Sequence, residues 1–382
     1  MVEGVLRPAW AEVSASAIAH NVGALRSVIG DASFCAVVKA NGYGHGAIYA
    51  ARAALVGGAD SLAVALVDEG IELRQAGVTA PILVMSEVPA DTIAPAYEAD
   101  LTLTIGSPEG ARAAVKWAEA LGGTYPVHVK VDTGMHRMGV VPEELNEVID
   151  IVRSSPHVTF EGLYTHFSVA DGDSDADREF TETQIALFNT LVADLTQRGA
   201  VPPVVHSANS AGALGYPASR HSMVRVGLAL YGYLPGAWLR AALEEKGQSL
   251  VPALTLRARV TAVRRVRAGA KPSYGRRRRV ERDATIVTVP FGYADGYPRH
   301  LFDGGAQVLI NSTRHPVAGV VTMDQLVVDV GDDAVSVGDD VVLLGQQGDE
   351  RLGADEWAHW GGTITWEILT NLGARVPRVL VD

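Results

Sequence analysis

Residues 34–66 read FCAVVKANGYGHGAIYAARAALVGGADSLAVAL: an apolar, β-branched run, a glycine-rich turn, an alanine-rich stretch and a second apolar run. That order predicts strand, helix, strand in a parallel sheet. The alternation continues to Tyr231, with the runs ILVMS (82–86), LTLTI (101–105), YPVHVKV (125–131), FEGLYTH (160–166), VVHSAN (204–209) and MVRVGLALYG (223–232). Helix-like segments such as GARAAVKWAEAL (110–121) lie between them. With FCAVVK and SLAVAL these make eight strands, and eight βα units in this span fit a closed TIM-type (β/α)8 barrel better than an open doubly wound sheet. No G-x-G-x-x-G turn opens the first unit, which disfavours a dinucleotide site.

After about Leu250 the pattern changes to long β-rich runs: LTLRARVTAVRRV, ATIVTVP, AQVLI, PVAGVVTMDQLVVDV and DDVVLLG. Only Ala354–Asn371 looks helical there. The expected fold class is therefore α/β + β: a barrel over 11–240 and a mainly β domain over 250–382, joined through the polar segment 236–252. Residues 1–10 are free to pack with the second domain.

At 382 residues the chain has length for two or three domains. Lys+Arg 32 against Asp+Glu 44 gives a net charge of −12, which repels nucleic acid and anionic lipid. Cys35 is the only cysteine, which excludes an internal disulfide and a cysteine-built zinc site. The first ten residues carry no apolar signal segment, and no run of 18 apolar residues occurs, so a cytoplasmic protein with no membrane and no nucleic-acid partner is expected. The DGDSDAD stretch (171–177) imitates a calcium loop, but Ala176 stands where that loop needs Gly, so it reads as a solvated helix start and no metal is expected. The run Arg276–Arg279 is followed by Glu281 and Asp283 without interleaved aromatics and reads as a charged hairpin.

Lys39 ends the first strand at the carboxyl rim, where barrel active sites are built. Desolvation at a strand end lowers a lysine pKa and frees an amine for Schiff-base chemistry; the alternative is a lysine snorkelling into water. Arg225 lies in the strand MVRVG, where an inward guanidinium cannot be left unpaired, and a salt bridge across the barrel is the structural alternative.

The string AVVKANGYGHG (36–46) resembles the pyridoxal phosphate attachment motif of alanine racemases. KVDTGMHRMG (130–139), THFSVAD (165–171), HSANSAG (206–212), MVRVGLALYG (223–232), SYGR (273–276), GYADGYPR (292–299), MDQ (323–325) and RVPR (375–378) follow in the family's order. The resemblance implies pyridoxal 5'-phosphate on Lys39 and racemisation of alanine by two bases, Lys39 on one face of the substrate carbon and Tyr274 on the other. It implies that Tyr43, Ser210 and the amides of Gly227 and Leu228 hold the phosphate, and that Arg225 faces the pyridine nitrogen without giving it a proton. Asn209 and His166 are implied to orient that arginine and the cofactor. Arg137 is implied to hold the cofactor phenolate and the substrate carboxylate. The resemblance implies that Lys130 braces it as a carbamate, although Lys130 and Asp132 equally read as an ion pair. Met323 and Asp324 are implied to approach the substrate from a partner subunit, in a homodimer with composite sites. The pathway implied is provision of D-alanine. Trp366 departs from the family, which usually has a phosphate-binding tyrosine there. The rival readings are a racemase of another small amino acid such as serine, or a barrel-type decarboxylase; the latter would use a cysteine near the C-terminus, and Cys35 is at the other end.

Overall fold

The computed structural model describes residues 6–382, in two compact units. One comprises Ser16–Gly42 and Ala47–Val251; the other comprises Pro252–Asp382, the described N-terminal residues up to Ala15, and Tyr43–Gly46. The first strand, β1 (Ala9–Val13), belongs to the second unit.

The first unit is a nearly closed barrel of eight parallel strands, and each sequence run named above forms one of them. They are β2 (Ser33–Val37), β3 (Ser61–Val64), β4 (Ile82–Val84), β5 (Thr102–Ile105), β6 (Tyr125–Lys130), β7 (Val158–Tyr164), β8 (Val204–His206) and β9 (Met223–Val226). Hydrogen bonds run from β8 through β7 down to β2 and on to β9. The seam between β8 and β9 is joined by Ser222 N–H to the Val205 carbonyl (3.1 Å) and Arg225 N–H to the Ala208 carbonyl (3.0 Å). Strands β4, β5 and β9 are buried along their whole length, as continuous apolar runs in parallel sheets require.

The connecting helices follow local signals. In Pro108–Leu121 the Ser107 side chain accepts from Gly110 N–H, Pro occupies the first turn, and Gly122 ends the helix at φ 71°. Its small residues Ala111, Ala114 and Ala118 are buried along one face.

The second unit adds β10 (Leu254–Arg259), β11 (Ala262–Val266), β12 (Ala284–Val289), β13 (Gln307–Ile310), β14 (Thr313–Pro316), β15 (Leu326–Gly331), β16 (Asp340–Gln347), β17 (Glu350–Leu352) and β18 (Arg378–Leu380). One sheet has the order β14-β13-β16-β10-β1-β18, with β17 on β16; a second has the order β11-β12-β15. Because β1 pairs antiparallel with β10 and parallel with β18, residues 11–13 sit with the β unit and not with the barrel, where the sequence boundary put them. A pairing partner some 245 positions away leaves no local sign in the sequence. Residues 1–5 of the segment expected to pack here lie outside the described residues.

Tyr43–Gly46 joins this unit through close packing: a Cβ at Gly44 would lie 2.0 Å from the Leu369 carbonyl oxygen, and Gly44 has φ +81°. Gly44→Ala is therefore expected to destabilise the protein by more than about 2 kcal/mol in urea unfolding, since it combines a backbone collision with left-handed strain.

Candidate active site

The site lies at the carboxyl rim of the barrel. Val38 N–H continues β2 by bonding the Ala63 carbonyl (2.9 Å), and half-buried Lys39 follows. The chain then makes a left-handed turn: Ala40 (φ 52°, ψ 52°), Asn41 (53°, 47°), Gly42 (60°, 46°) and Tyr43 (φ 50°). For L-residues this costs about 1–2 kcal/mol each, so the surroundings must impose it. Ala40 N–H donates to the Glu69 carboxylate at 2.6 Å, Gly42 N–H to the Val38 carbonyl at 2.9 Å, and Ala47 N–H to Asn41 Oδ1 at 2.9 Å. Burial and the charge of Arg137 hold the Lys39 ammonium below its ordinary pKa, with Glu69 opposing.

Lys130 ends β6 and is 4% exposed. Burial and the charges of Arg137, Arg225 and Lys39 push its pKa down to about 8, with Asp132 opposing. Asp132 does not form the ion pair that the sequence allowed, because its Oδ1 accepts the amides of Gly134 (2.9 Å), Met135 (2.9 Å) and His136 (3.1 Å). Lys130 Nζ instead lies 5.9 Å from the centroid of the Tyr164 ring. Arg137 is exposed on the loop beyond β6.

Arg225, on β9, is 2% exposed and, among the described residues, forms no salt bridge across the barrel. Its Nη1 donates to His206 Nδ1 at 2.7 Å and its Nη2 to the Thr165 carbonyl at 2.8 Å; longer contacts reach the Ser207 carbonyl and His166 Nδ1, at 3.2 and 3.3 Å. The guanidinium stacks over Tyr164, 5.0 Å from the ring centroid. Burial and the neighbouring cations hold His166 and His206 well below the ordinary histidine pKa, so both rings are neutral.

Asn209, expected to orient Arg225, caps its own helix instead: its Oδ1 accepts from Gly212 N–H at 2.9 Å. His206, Thr165 and Ser207 hold the guanidinium, a role the sequence reading missed although all three lie in the quoted motifs. A histidine ending the buried apolar run VVH was the available signal. Ser210 Oγ accepts from Gly227 N–H (3.0 Å), just before the short turn Leu228–Tyr231. Tyr43 is buried and its hydroxyl is pushed up to about 12, so it remains protonated and can donate.

The other expected residues lie in the β unit. Tyr274 is 70% exposed and bridges to Val320, with Ser273, Gly275 and Arg276 all at positive φ. Met323 is 53% exposed, and its carbonyl accepts from Ala294 N–H at 3.0 Å. The Asp324 carboxylate accepts from Arg375 Nη2 at 2.7 Å. Trp366 is half-buried on the short helix Thr365–Thr370.

Within the barrel, Arg137 lies close enough to help depress the pKa values of Lys39 and Lys130, and Arg225 and Lys39 add to the effect on Lys130, while the nearest carboxylates, Glu69 and Asp132, are engaged by backbone amides. The donor set lacks an anion and fits a cofactor carrying phosphate and phenolate. This is the rim of a barrel enzyme built around a small anionic cofactor. Family models for the alanine racemase N-terminal and C-terminal domains match residues 13–235 and 253–380, and the chain belongs to the alanine racemase family, which depends on pyridoxal phosphate. It is 42% identical over 378 residues to an alanine racemase of Desulforamulus reducens, covering 98% of this chain and 99% of that one. The structure of an alanine racemase from Streptomyces coelicolor A3(2) matches with a TM-score of 0.92 at 35% identity, covering 100% of both chains. That of the Bacillus anthracis alanine racemase with bound L-Ala-P matches at 0.91 and 38% identity, covering 99% of this chain and 96% of that one.

The lowered Lys130 pKa has a stability consequence. Between about 8 and 10.5 the unfolded chain holds the Lys130 proton and the folded chain does not, so stability rises with pH across that window. In cofactor-free protein and carbonate-free buffer, wild type is expected to gain up to about 1.4 kcal/mol per pH unit relative to Lys130→Met, measured by urea unfolding.

Proposed function

We propose that this protein interconverts L-alanine and D-alanine by a pyridoxal phosphate-dependent, two-base mechanism. The observation that carries the reading is the strand-end Lys39, set among cations whose neighbouring carboxylates are already engaged. In this reading the barrel, expected over 11–240 but without β1, binds the cofactor, and 250–382 together with β1 form the β domain. When bound, the cofactor supplies an electron-withdrawing ring that acidifies the substrate Cα–H.

The chain's own groups do the rest. Lys39 would anchor the cofactor until the substrate amine displaces it, and the released amine, held below its ordinary pKa by burial and Arg137, would take the proton from one face. The partner's Tyr274 serves the opposite face, since inversion needs removal on one side and return on the other. Arg225 keeps its proton and leaves the pyridine nitrogen bare, because a guanidinium pKa lies far above that of the ring. Its neutral contacts to His206, Thr165 and Ser207 support a charge kept for the cofactor. His166 and Asn209 line the cofactor, Asn209 by fixing the start of the helix that carries Ser210. Tyr43, Ser210 and the Leu228 amide donate to the phosphate; the Gly227 N–H, bonded to Ser210 Oγ in the structure, would turn to the phosphate when the cofactor binds, and Trp366 stands in the sequence where the family usually has a phosphate-binding tyrosine.

Arg137 holds the substrate carboxylate and needs an anion to brace it. Lys130 supplies one as a carbamate: its neutral amine adds to carbon dioxide, forming an N–C bond and releasing a proton, and its pKa near 8 leaves that amine accessible. Met323 and Asp324 of the partner subunit close on the substrate, largely through backbone. The assembly is thus a homodimer with two composite sites, acting in the cytoplasm to supply D-alanine. Among the described residues no helix is long and apolar enough to cross a membrane, and no group of three or more His, Cys, Asp or Glu side chains is placed to hold a metal.

The purified protein is expected to show the visible band of bound cofactor, and borohydride reduction should fix the label on Lys39. A chiral assay across small L-amino acids should give alanine the highest rate. Label on another lysine ends the cofactor assignment; preference for serine would favour the second reading, to which Trp366 in place of the usual tyrosine points.

The composite site makes a quantitative forecast. Lys39→Ala and Tyr274→Phe proteins, each nearly inactive alone, should recover activity when co-expressed, because a mixed dimer has one site with both changes and one with neither. Random assortment makes half the dimers mixed with half their sites intact, so recovery should approach about a quarter of wild type. Isolated mixed dimers as inactive as their parents would remove Tyr274 from the site.

A further inference from the structure

Beyond Arg225 a chain of side-chain hydrogen bonds runs out of the barrel. His206 Nε2 lies 2.9 Å from His128 Nδ1, and His128 Nε2 lies 3.2 Å from Glu161 Oε2. Both histidines are buried, whereas the Glu161 side chain is 39% exposed, so the chain ends at a solvated carboxylate. The strands are shaped for it. The pairing of β6 with β7 shifts register between Val127 and His128, and a Cβ at Gly162 would lie 2.5 Å from the His128 ring. Only glycine at 162 leaves room for the imidazole against β7.

The donors can be assigned along the whole chain. Arg225 Nη1 can only donate, so His206 Nδ1 must accept and its proton sits on Nε2. That N–H then donates to His128 Nδ1, leaving the His128 proton on Nε2, directed at Glu161. The reversed set would place a proton on His206 Nδ1, 2.7 Å from an arginine donor. Two facing donors in a buried site cost several times an ordinary hydrogen bond, and the guanidinium would have to move. Burial and, less strongly, Arg225 lower the pKa of both rings, Glu161 opposing at His128, which favours one proton on each.

We propose that Glu161, as the terminal acceptor of this relay, holds His128 and His206 in the tautomers that Arg225 requires and thereby fixes the orientation of the buried guanidinium. Glu161 and His128 are positioning residues: neither contacts the rim, and their effect reaches it only through His206. The proposal rests on the functional reading above in one respect, that Arg225 faces the cofactor ring.

The test is made on holoenzyme labelled with 15N-histidine. In the unsubstituted protein the relay predicts a through-hydrogen-bond 15N–15N coupling between His206 Nε2 and His128 Nδ1, with the proton on His206. Glu161→Ala removes the terminal acceptor; it is expected to put proton density on His206 Nδ1 and to weaken pyridoxal phosphate binding about tenfold, the equivalent of one lost hydrogen bond. Glu161→Gln keeps a carbonyl acceptor and should retain both the wild-type tautomers and the affinity. A proton on His128 Nδ1 in the unsubstituted protein overturns the proposal, and so does an unprotonated His206 Nδ1 in Glu161→Ala. If Glu161→Ala does not fold, the wild-type coupling and the Glu161→Gln tautomers still decide. A reversed His206 ring with unchanged cofactor affinity and absorption upholds the relay and overturns the contact assigned to Arg225.

Discussion

A guanidinium enclosed in a barrel without a carboxylate beside it is the constraint on which this site depends. Desolvating Arg225 costs several kcal/mol unless its donors are satisfied, and they are satisfied by neutral groups: the His206 ring, the Thr165 and Ser207 carbonyls and the face of Tyr164. A carboxylate partner would have met the same need and cancelled the charge. Neutral acceptors keep the charge and set its direction. Lys39, Lys130 and Arg137 add to the same positive field, while Glu69 and Asp132 have their oxygens on backbone amides. Burial lowers the pKa of Lys39 and Lys130 most, and the cations that add to this lowering are also the ones that attract an anionic cofactor: proton affinity and ligand affinity at this rim share an electrostatic contribution.

The left-handed turn after Lys39 shows how much structure supports that field. Ala40, Asn41 and Tyr43 all adopt a conformation that L-residues avoid. The carboxylate of Glu69 restrains the turn by taking Ala40 N–H, and the same carboxylate accepts from Ala65 and Leu66 at the start of the helix Val67–Gln75. One side chain thus ties the turn after β2 to the turn after β3. The strain fixes where β2 delivers its lysine, and strained backbone of this kind clusters where geometry has to be exact to a fraction of an ångström.

The barrel was legible because its strands are largely buried and so appear as short, mainly apolar runs, several of them closed by a polar residue at the functional rim. Lys39, Lys130, His166, His206 and Arg225 all stand at or near such closures. What the sequence did not disclose depends on partners distant in the chain. The pairing of β1 with β10, the left-handed turn, and the binding of Asp132 to amides in place of Lys130 are settled by tertiary contacts and not by local preference. Asn209 shows the opposite error. Its capping role follows from the local rule that Asn precedes a helix, and attention to a distant arginine hid it.

In the β unit the balance is reversed, since Tyr274 and Met323 are held on tight backbone yet face outward. Ser273, Gly275 and Arg276 take positive φ, and the Thr322–Gln325 turn is closed by Thr322 N–H to the Gln325 carbonyl at 2.9 Å and by the Thr322 hydroxyl. Strain and hydrogen bonding fix the backbone of a tyrosine that is 70% exposed and a methionine that is 53% exposed. Ordering large groups toward solvent gains no burial within the chain, so the cost of the ordering has to be recovered elsewhere. A tyrosine acting as a base also needs a surface that excludes water and supplies cations, since its unperturbed pKa is near 10. The barrel rim, with Lys39, Lys130, Arg137 and Arg225, carries the cations that such a tyrosine requires. Under the composite-site reading the two deficits are complementary: one chain's rim lacks an anion-forming base, and its partner's ordered turn lacks burial for the side chain it presents.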